Sequence, residues 1–230
     1  MRCTTHTKHL DECLKKMAKN SSSPSNNPPP PTPPPKQTSP TKHNASLTFL
    51  CINDVYTFDA INGHGGWSRV STLLRHLKKK KKEEEGSSKV IVTANGDVMG
   101  GSSLLVHSKG KLAMEVMECI GIDAAVLGNH EFDYGEDILR QHLKSSTFPW
   151  YGSNVYDKQT NQLLQGITNM SIHSIPSTNN SSSSSPALLK VGIFGITTTS
   201  TPSLSNPGPN ISFQNIISTA QNIISTLKKE

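Results

Sequence analysis

No run of 18 apolar residues occurs anywhere in this chain, so the sequence offers no candidate membrane-spanning helix. The first 20 residues also lack the apolar core of a secretory signal. A cytoplasmic protein is therefore the expectation. Cysteine is sparse: Cys3, Cys13, Cys51 and Cys119 fit neither zinc-site nor CxxC spacing, which excludes a disulfide scaffold or zinc finger as the organising principle. Cys51 and Cys119 fall in apolar segments and are expected to be buried thiols acting as small hydrophobes. Aromatic residues make up only 5% of the chain. The net charge of +6 rests largely on "KKKKK" at 78–82, which runs straight into "EEE" at 83–85. Opposite charges one turn apart describe a solvated helix end. Without interleaved aromatics or a recognisable motif, that run argues against a nucleic-acid partner.

Apolar anchors are also missing from residues 20–45, which hold nine of the 15 prolines. Residues 1–45 are expected to form a disordered Pro/Ser-rich arm. A second polar tract, "STNNSSSSS" at 177–185, reads as a surface insertion between two strands. The globular part is then 46–230.

Within it, "SLTFLCI" (46–52), "KVIVTA" (89–94) and "DAAVLG" (123–128) are short buried strands. Val70, Leu73, Leu74 and Leu77 mark an amphipathic helix from Trp67 onward, and Ala113, Val116, Met117 and Ile120 mark another over 109–120. A short helix is expected around 135–143. Strands without intervening helices follow at 148–155, 162–175 and 187–198. A last helix carries Ile216, Ile217, Ala220, Ile224 and Leu227, with Phe213 in register. Alternating strands and helices followed by hairpins predict an α/β fold with a mixed sheet.

Three successive strands end in polar groups: "ND" at 53–54, "NGD" at 95–97 and "GNHEFD" at 128–133. Ligand-binding groups of open α/β sheets gather beyond the carboxyl ends of the strands. Adjacent strands would bring Asp54, Asp97, Asn129 and His130 together. Two carboxylates, an amide and an imidazole suit manganese, iron, zinc or magnesium. A carboxylate shared between two ions would hold them at about 3.5–4 Å, as in two-metal hydrolytic sites. Singly, each residue has a plainer reading: Gly-Asp as turn chemistry, Asn129 as a helix N-cap, His130 as a structural histidine. Their joint occurrence at three consecutive strand ends favours a site.

In order and spacing, "ND" at 53–54, "NGDVMGGS" at 95–102 and "GNHEFDYG" at 128–135 resemble the calcineurin-like metallophosphoesterases. "GGWSRVSTLLR" (65–75), "GSNV" (152–155) and "VGIFGITT" (191–198) resemble the 5′-nucleotidase branch. The resemblance implies a four-layer α/β/β/α sandwich, C-terminally incomplete here, around two divalent ions drawn from Mn, Zn, Fe, Co or Mg. It implies hydrolysis of a small-molecule phosphomonoester such as a nucleotide, with a metal-activated hydroxide as nucleophile. Position by position, Asp54 would bind one ion, Asp97 would bridge both and Asn129 would bind the other. His130 would act as general acid or transition-state stabiliser, oriented by Asp133.

Two departures stand out. Tyr56 occupies the place of the usual histidine in the first motif, and a neutral phenol is a poor ligand for such ions. The family also completes its site with three later histidines. After His130 this chain has only His142 and His173, neither in matching context. Asp54, Asp97 and Asn129 alone predict weak metal binding and little turnover. The alternative reading is a catalytically incompetent module that retains a partial metal site.

Overall fold

A computed structural model describes residues 46–85, 89–176 and 188–230, all within one compact unit spanning Lys42–Glu230. The arm expected at 1–45 and the insertion expected at 177–185 lie outside the described residues.

Five strands, all parallel, form the principal sheet. They are β1 (Leu47–Ile52), β2 (Lys89–Asn95), β3 (Ala124–Val126), β4 (Trp150–Tyr151) and β7 (Ile167–Thr168), side by side in that order. Parallel pairing requires crossovers, and three of the intervening segments supply helices for them. Helix α1 (Trp67–Glu85) buries Trp67 and Leu74, and packs against β2 and against α3 (Lys111–Ile120). Helix α3, preceded by the short α2 (Ser103–His107), buries Ala113, Met114, Met117 and Ile120. Between β3 and β4 lies α4 (Glu136–Ser145), which buries Leu139, His142 and Leu143. Val92 and Ala94 of β2 are fully buried, as a central parallel strand requires.

The antiparallel strands do not extend this sheet, so the expected mixed sheet resolves into separate ones. Strand β5 (Val155–Asp157) sits between β6 (Gln162–Leu163) and β10 (Ile211–Phe213). Strands β8 (Met170–Pro176) and β9 (Leu188–Phe194) form a two-stranded antiparallel sheet. A four-residue helix, α5 (Thr201–Leu204), and the final helix α6 (Ile216–Leu227) complete the order. No helix among the described residues is long and apolar enough to cross a membrane.

Three local expectations are corrected. Cys51 and Cys119 are free but exposed, not buried. Strand β1 is an edge strand whose Leu50 and Ile52 face the core, so Phe49 and Cys51 point the other way. Cys119 lies on the side of α3 away from Met117 and Ile120. On α6 the buried apolar side chain is Ile223, while Ile216, Ile224 and Ile217, the last 67% exposed, lie outside the packed face. The lysine run falls within α1 as expected. There Lys79 pairs with Glu83 at 3.8 Å, and Lys78 reaches Asp123 at 3.4 Å and the Gly121 carbonyl at 3.0 Å.

Candidate active site

Parallel register sets the strand ends abreast: Ile52 lies beside Ala94, Asn95 beside Val126 and Val126 beside Tyr151. The residues that follow β1, β2 and β3 therefore emerge at one edge of the sheet. Asp54 and Asp97 leave their strands in the same unusual conformation, with φ of 53° and 57°. Left-handed backbone is disfavoured for residues other than glycine and most tolerable for Asn and Asp. The Asp54 N–H donates to the Gly96 carbonyl at 3.3 Å, tying the first loop to the second.

The second and third loops cross in backbone contact. A Cβ on Gly96 would lie 2.8 Å from the Cα of Gly128, and a Cβ on Gly128 would lie 2.3 Å from Asp97 Oδ1. Two glycines at this crossing let Asp97 lie against the end of β3. Its Oδ1 accepts the backbone N–H of His130 at 3.0 Å.

Glu131 holds this crossing together, and the sequence reading passed over it. Its side chain is 1% exposed. Oε2 accepts the N–H groups of Gly128 at 2.7 Å and Asp97 at 2.9 Å, and Oε1 accepts that of Val98 at 2.8 Å. Burial pushes its carboxyl pKa up, and the three N–H groups pull in the opposite direction. The available signal was slight: one more acidic residue in the polar stretch 128–133, three residues after a glycine.

Asn129 occupies the N-cap position of a 3-10 turn, His130–Phe132, yet its side chain makes no capping hydrogen bond. Its amide remains available to a ligand. His130 Nδ1 lies 2.8 Å from Asp133 Oδ2. Asp133 Oδ1 accepts the Ser205 hydroxyl at 2.7 Å, a partner 72 residues away. Burial works against the charged imidazole, but the hydrogen bond and charge of Asp133, with Asp97 and Glu131 behind it, raise the His130 pKa above its ordinary value. Ser205 arrives on a segment fixed by Thr197, whose hydroxyl donates to the Leu127 carbonyl at 2.9 Å. Thr197 is clamped in turn by the buried Asn154, which accepts its N–H at 2.9 Å and donates to its carbonyl at 2.8 Å.

Tyr56 packs over this group. Its hydroxyl donates to Asp54 Oδ1 at 2.7 Å, and its ring meets that of His130 edge-on at 5.5 Å between centroids. Burial, the bond to Asp54 and the charges of Asp97, Asp54 and Glu131 push its pKa well above the ordinary phenol value, so it stays neutral. It is a neighbour of the carboxylates and of the imidazole. Asp54 Oδ2 is held by the Asn53 side-chain amide.

The five residues singled out from sequence are thus brought to one edge. Among the described residues, no group of three or more His, Cys, Asp or Glu has the geometry of a metal cage. The oxygen donors are Asp54, Asp97 and Asn129, three groups in all. Hard oxygen donors fit a divalent cation. His142 and His173 lie elsewhere: His142 Nε2 bonds the Lys109 carbonyl at 2.7 Å, and His173 sits on β8. A cavity of about 520 Å³ against Arg140, Leu143, Lys144, Gln165 and Gly166 shares no residue with the site.

The calcineurin-like phosphoesterase family model matches residues 47–191. A snake venom 5′-nucleotidase from Gloydius brevicauda is 33% identical over 159 residues, covering 69% of this chain and 24% of that protein. The 5′-nucleotidase of Bos taurus is 34% identical over 135 residues, covering 58% of this chain and 22% of that protein. Among solved structures, the NAD nucleotidase of Haemophilus influenzae superposes with a TM-score of 0.65 at 27% identity, over 80% of this chain and 32% of that one. The chain spans about a quarter of the length of these curated relatives. Family match, fold and strand-end geometry agree: this chain belongs to the calcineurin-like phosphoesterase family and carries its metallophosphoesterase α/β fold.

Proposed function

We propose that the protein is a metal-dependent phosphoester hydrolase that acts on a phosphomonoester, a nucleotide being the substrate its 5′-nucleotidase relatives suggest. The observation that carries the reading is the convergence of Asp54, Asp97, Asn129 and the His130–Asp133 pair beyond three neighbouring parallel strands. In this proposal Asp54, Asp97 and the amide oxygen of Asn129 would hold the divalent ions, with Asp97 shared between them. Divalent cations bound there supply Lewis acidity, which makes water a competent nucleophile at neutral pH and offsets charge on the phosphoryl oxygens.

The rest is done by the chain's own side chains. Asp133 accepts the Nδ1 proton of His130, which leaves Nε2 to face the substrate. From Nε2 a proton passes to the leaving alkoxide as the ester bond breaks. Ser205 occupies the other oxygen of Asp133 and keeps that carboxylate from turning away. Glu131 fixes the backbone on both sides of Asp97.

The test is hydrolysis of p-nitrophenyl phosphate and AMP by purified protein, abolished by chelator and restored by manganese or cobalt. Chelator-insensitive hydrolysis, or none from a protein that binds two ions tightly, would overturn the reading.

A second reading has its own support. Three donor groups cannot fill the four to six positions that such ions require, and no larger cluster exists among the described residues. On that reading the 230-residue chain binds metal weakly and turns over little. A turnover number on the order of ~1 s⁻¹ or more, ordinary for enzymes, would sink it.

A further inference from the structure

Away from the candidate site, four polar side chains form an unbroken line between the principal sheet and β8. Lys89 Nζ, at the start of β2, lies 3.1 Å from His173 Nδ1. His173 Nε2 lies 2.9 Å from Ser171 Oγ, and Ser171 Oγ lies 2.5 Å from the hydroxyl of Tyr151 on β4. Tyr151 is almost fully buried. The line spans β2, β8 and β4, three segments far apart in sequence.

The roles follow from the donor inventory. A lysine ammonium can only donate, so His173 Nδ1 must accept. The imidazole is therefore neutral, with its proton on Nε2, and donates to Ser171. A serine beside a histidine invites a nucleophilic reading, but Lys89 excludes it. A general base becomes a cation as it works, and a triad places a carboxylate behind it rather than an ammonium. What the line can do is fasten. It ties β8 to the parallel sheet, and the antiparallel partner β9 leads on to Gly195, whose carbonyl accepts the Ser153 N–H at 2.8 Å.

We propose that Lys89, His173, Ser171 and Tyr151 form a pH-sensitive strap, which docks the β8–β9 pair on the principal sheet at neutral pH and releases it on acidification. Protonated His173 would aim an N–H at the Lys89 ammonium and set two positive charges about a hydrogen bond apart. Either Lys89 swings out or the ring turns, and a turned ring loses Ser171. The charged and titratable groups around His173 reinforce this. Lys89 approaches from β2 and the Tyr151 hydroxyl stands behind Ser171 on β4. Opposite His173 on β9 is Val191, and the adjacent Lys190 is drawn off to a main-chain oxygen of Glu230. The two ring partners of His173 are an ammonium and a hydroxyl, neither of which would compensate a charged imidazole. Burial first and the Lys89 charge second lower the His173 pKa from its ordinary value near 6.5. A lowered histidine pKa makes the docked state favoured above that value and progressively disfavoured below it. The proposal is independent of any catalytic activity.

The test is NMR on the full 230-residue chain, following the His173 ring through pH 8 to 5 together with amide exchange in β8 and β9. The expected His173 midpoint is below that of an exposed histidine. Exchange of the β8 amides, corrected for its intrinsic pH dependence, should rise by up to about tenfold per pH unit below 6.5. Lys89→Met should raise the midpoint and flatten the pH response of exchange. Ser171→Ala, which leaves Lys89 and His173 in place, should speed β8 exchange already at pH 7.5. A His173 midpoint at the ordinary value, or corrected exchange in β8 that does not change with pH, would overturn the proposal.

Discussion

Asp97 Oδ1 accepts the backbone N–H of His130 at 3.0 Å, so the carboxylate that follows β2 is hydrogen-bonded to the residue that opens the turn after β3. This bond is short-circuited by any atom placed between the two loops, and Gly128 is where an atom would go. Gly128→Ala should push Asp97 aside, because the new Cβ would lie 2.3 Å from its Oδ1. Overpacking of this kind costs about 1–3 kcal/mol. Urea denaturation should show that loss, and manganese titration should show weaker binding than in the parent chain. Unchanged affinity would mean that Asp97 does not hold metal.

Glu131 accepts three backbone N–H groups from inside the protein. Glu131→Ala leaves them without their acceptor, and each unpaired buried group costs about 1–3 kcal/mol. A drop of about 3 kcal/mol or more in unfolding free energy is expected. Glu131→Gln should fall between, since its NH₂ replaces one accepting oxygen with a donor. Equal stability of Gln and Glu at this position would show that a single oxygen suffices.

Asp97→Ala and His130→Ala should separate metal binding from proton transfer. Asp97→Ala should strip bound manganese, whereas His130→Ala should leave the metal content nearly intact. In protein that turns over, His130→Ala should lower kcat by roughly 10²–10⁴-fold, the range for losing a general acid. Equal metal loss in both variants would make His130 a ligand instead.

His142 should make the fold acid-sensitive. Burial lowers its pKa below the ordinary imidazole value, more than the bond to the Lys109 carbonyl restores it. The unfolded chain then takes up a proton that the native one resists. His142 therefore costs no stability above about pH 6.5, and stability declines as pH falls from there toward the native pKa. Urea midpoints at pH 7.5 and 5.5 should differ more for the parent chain than for His142→Gln, which keeps a donor toward Lys109 but does not titrate.

The first three strands and the four longer helices were legible because each depends on short-range pattern, whereas Phe213, expected in register with the last helix, lies on β10. Continuous apolar runs gave β1, β2 and β3, and helical spacing gave α1 and α3. Polar groups at three consecutive strand ends pointed to the edge where Asp54, Asp97, Asn129 and His130 now lie. The rest depended on who sits beside whom. Ser205 carries no local sign that it will meet Asp133, and the place of Glu131 under the Asp97 loop appears only once β2 and β3 are paired. The exposure of Cys51 follows from β1 being an edge strand, which the run "SLTFLCI" does not encode. The grouping of the antiparallel strands into separate sheets likewise follows from tertiary pairing.

The reach of Ser205 to Asp133 also sets an order of events during synthesis. The strand-end loops at 53–54, 95–97 and 128–133 are all made before the residue that completes the His130–Asp133–Ser205 line. Ribosomes add about 5–20 residues per second, and 72 residues separate the two partners. For several seconds the nascent chain carries the carboxylates, the amide and the imidazole while the hydroxyl that steadies Asp133 does not yet exist. The His130–Asp133 pair is thus the part of this edge that is steadied last.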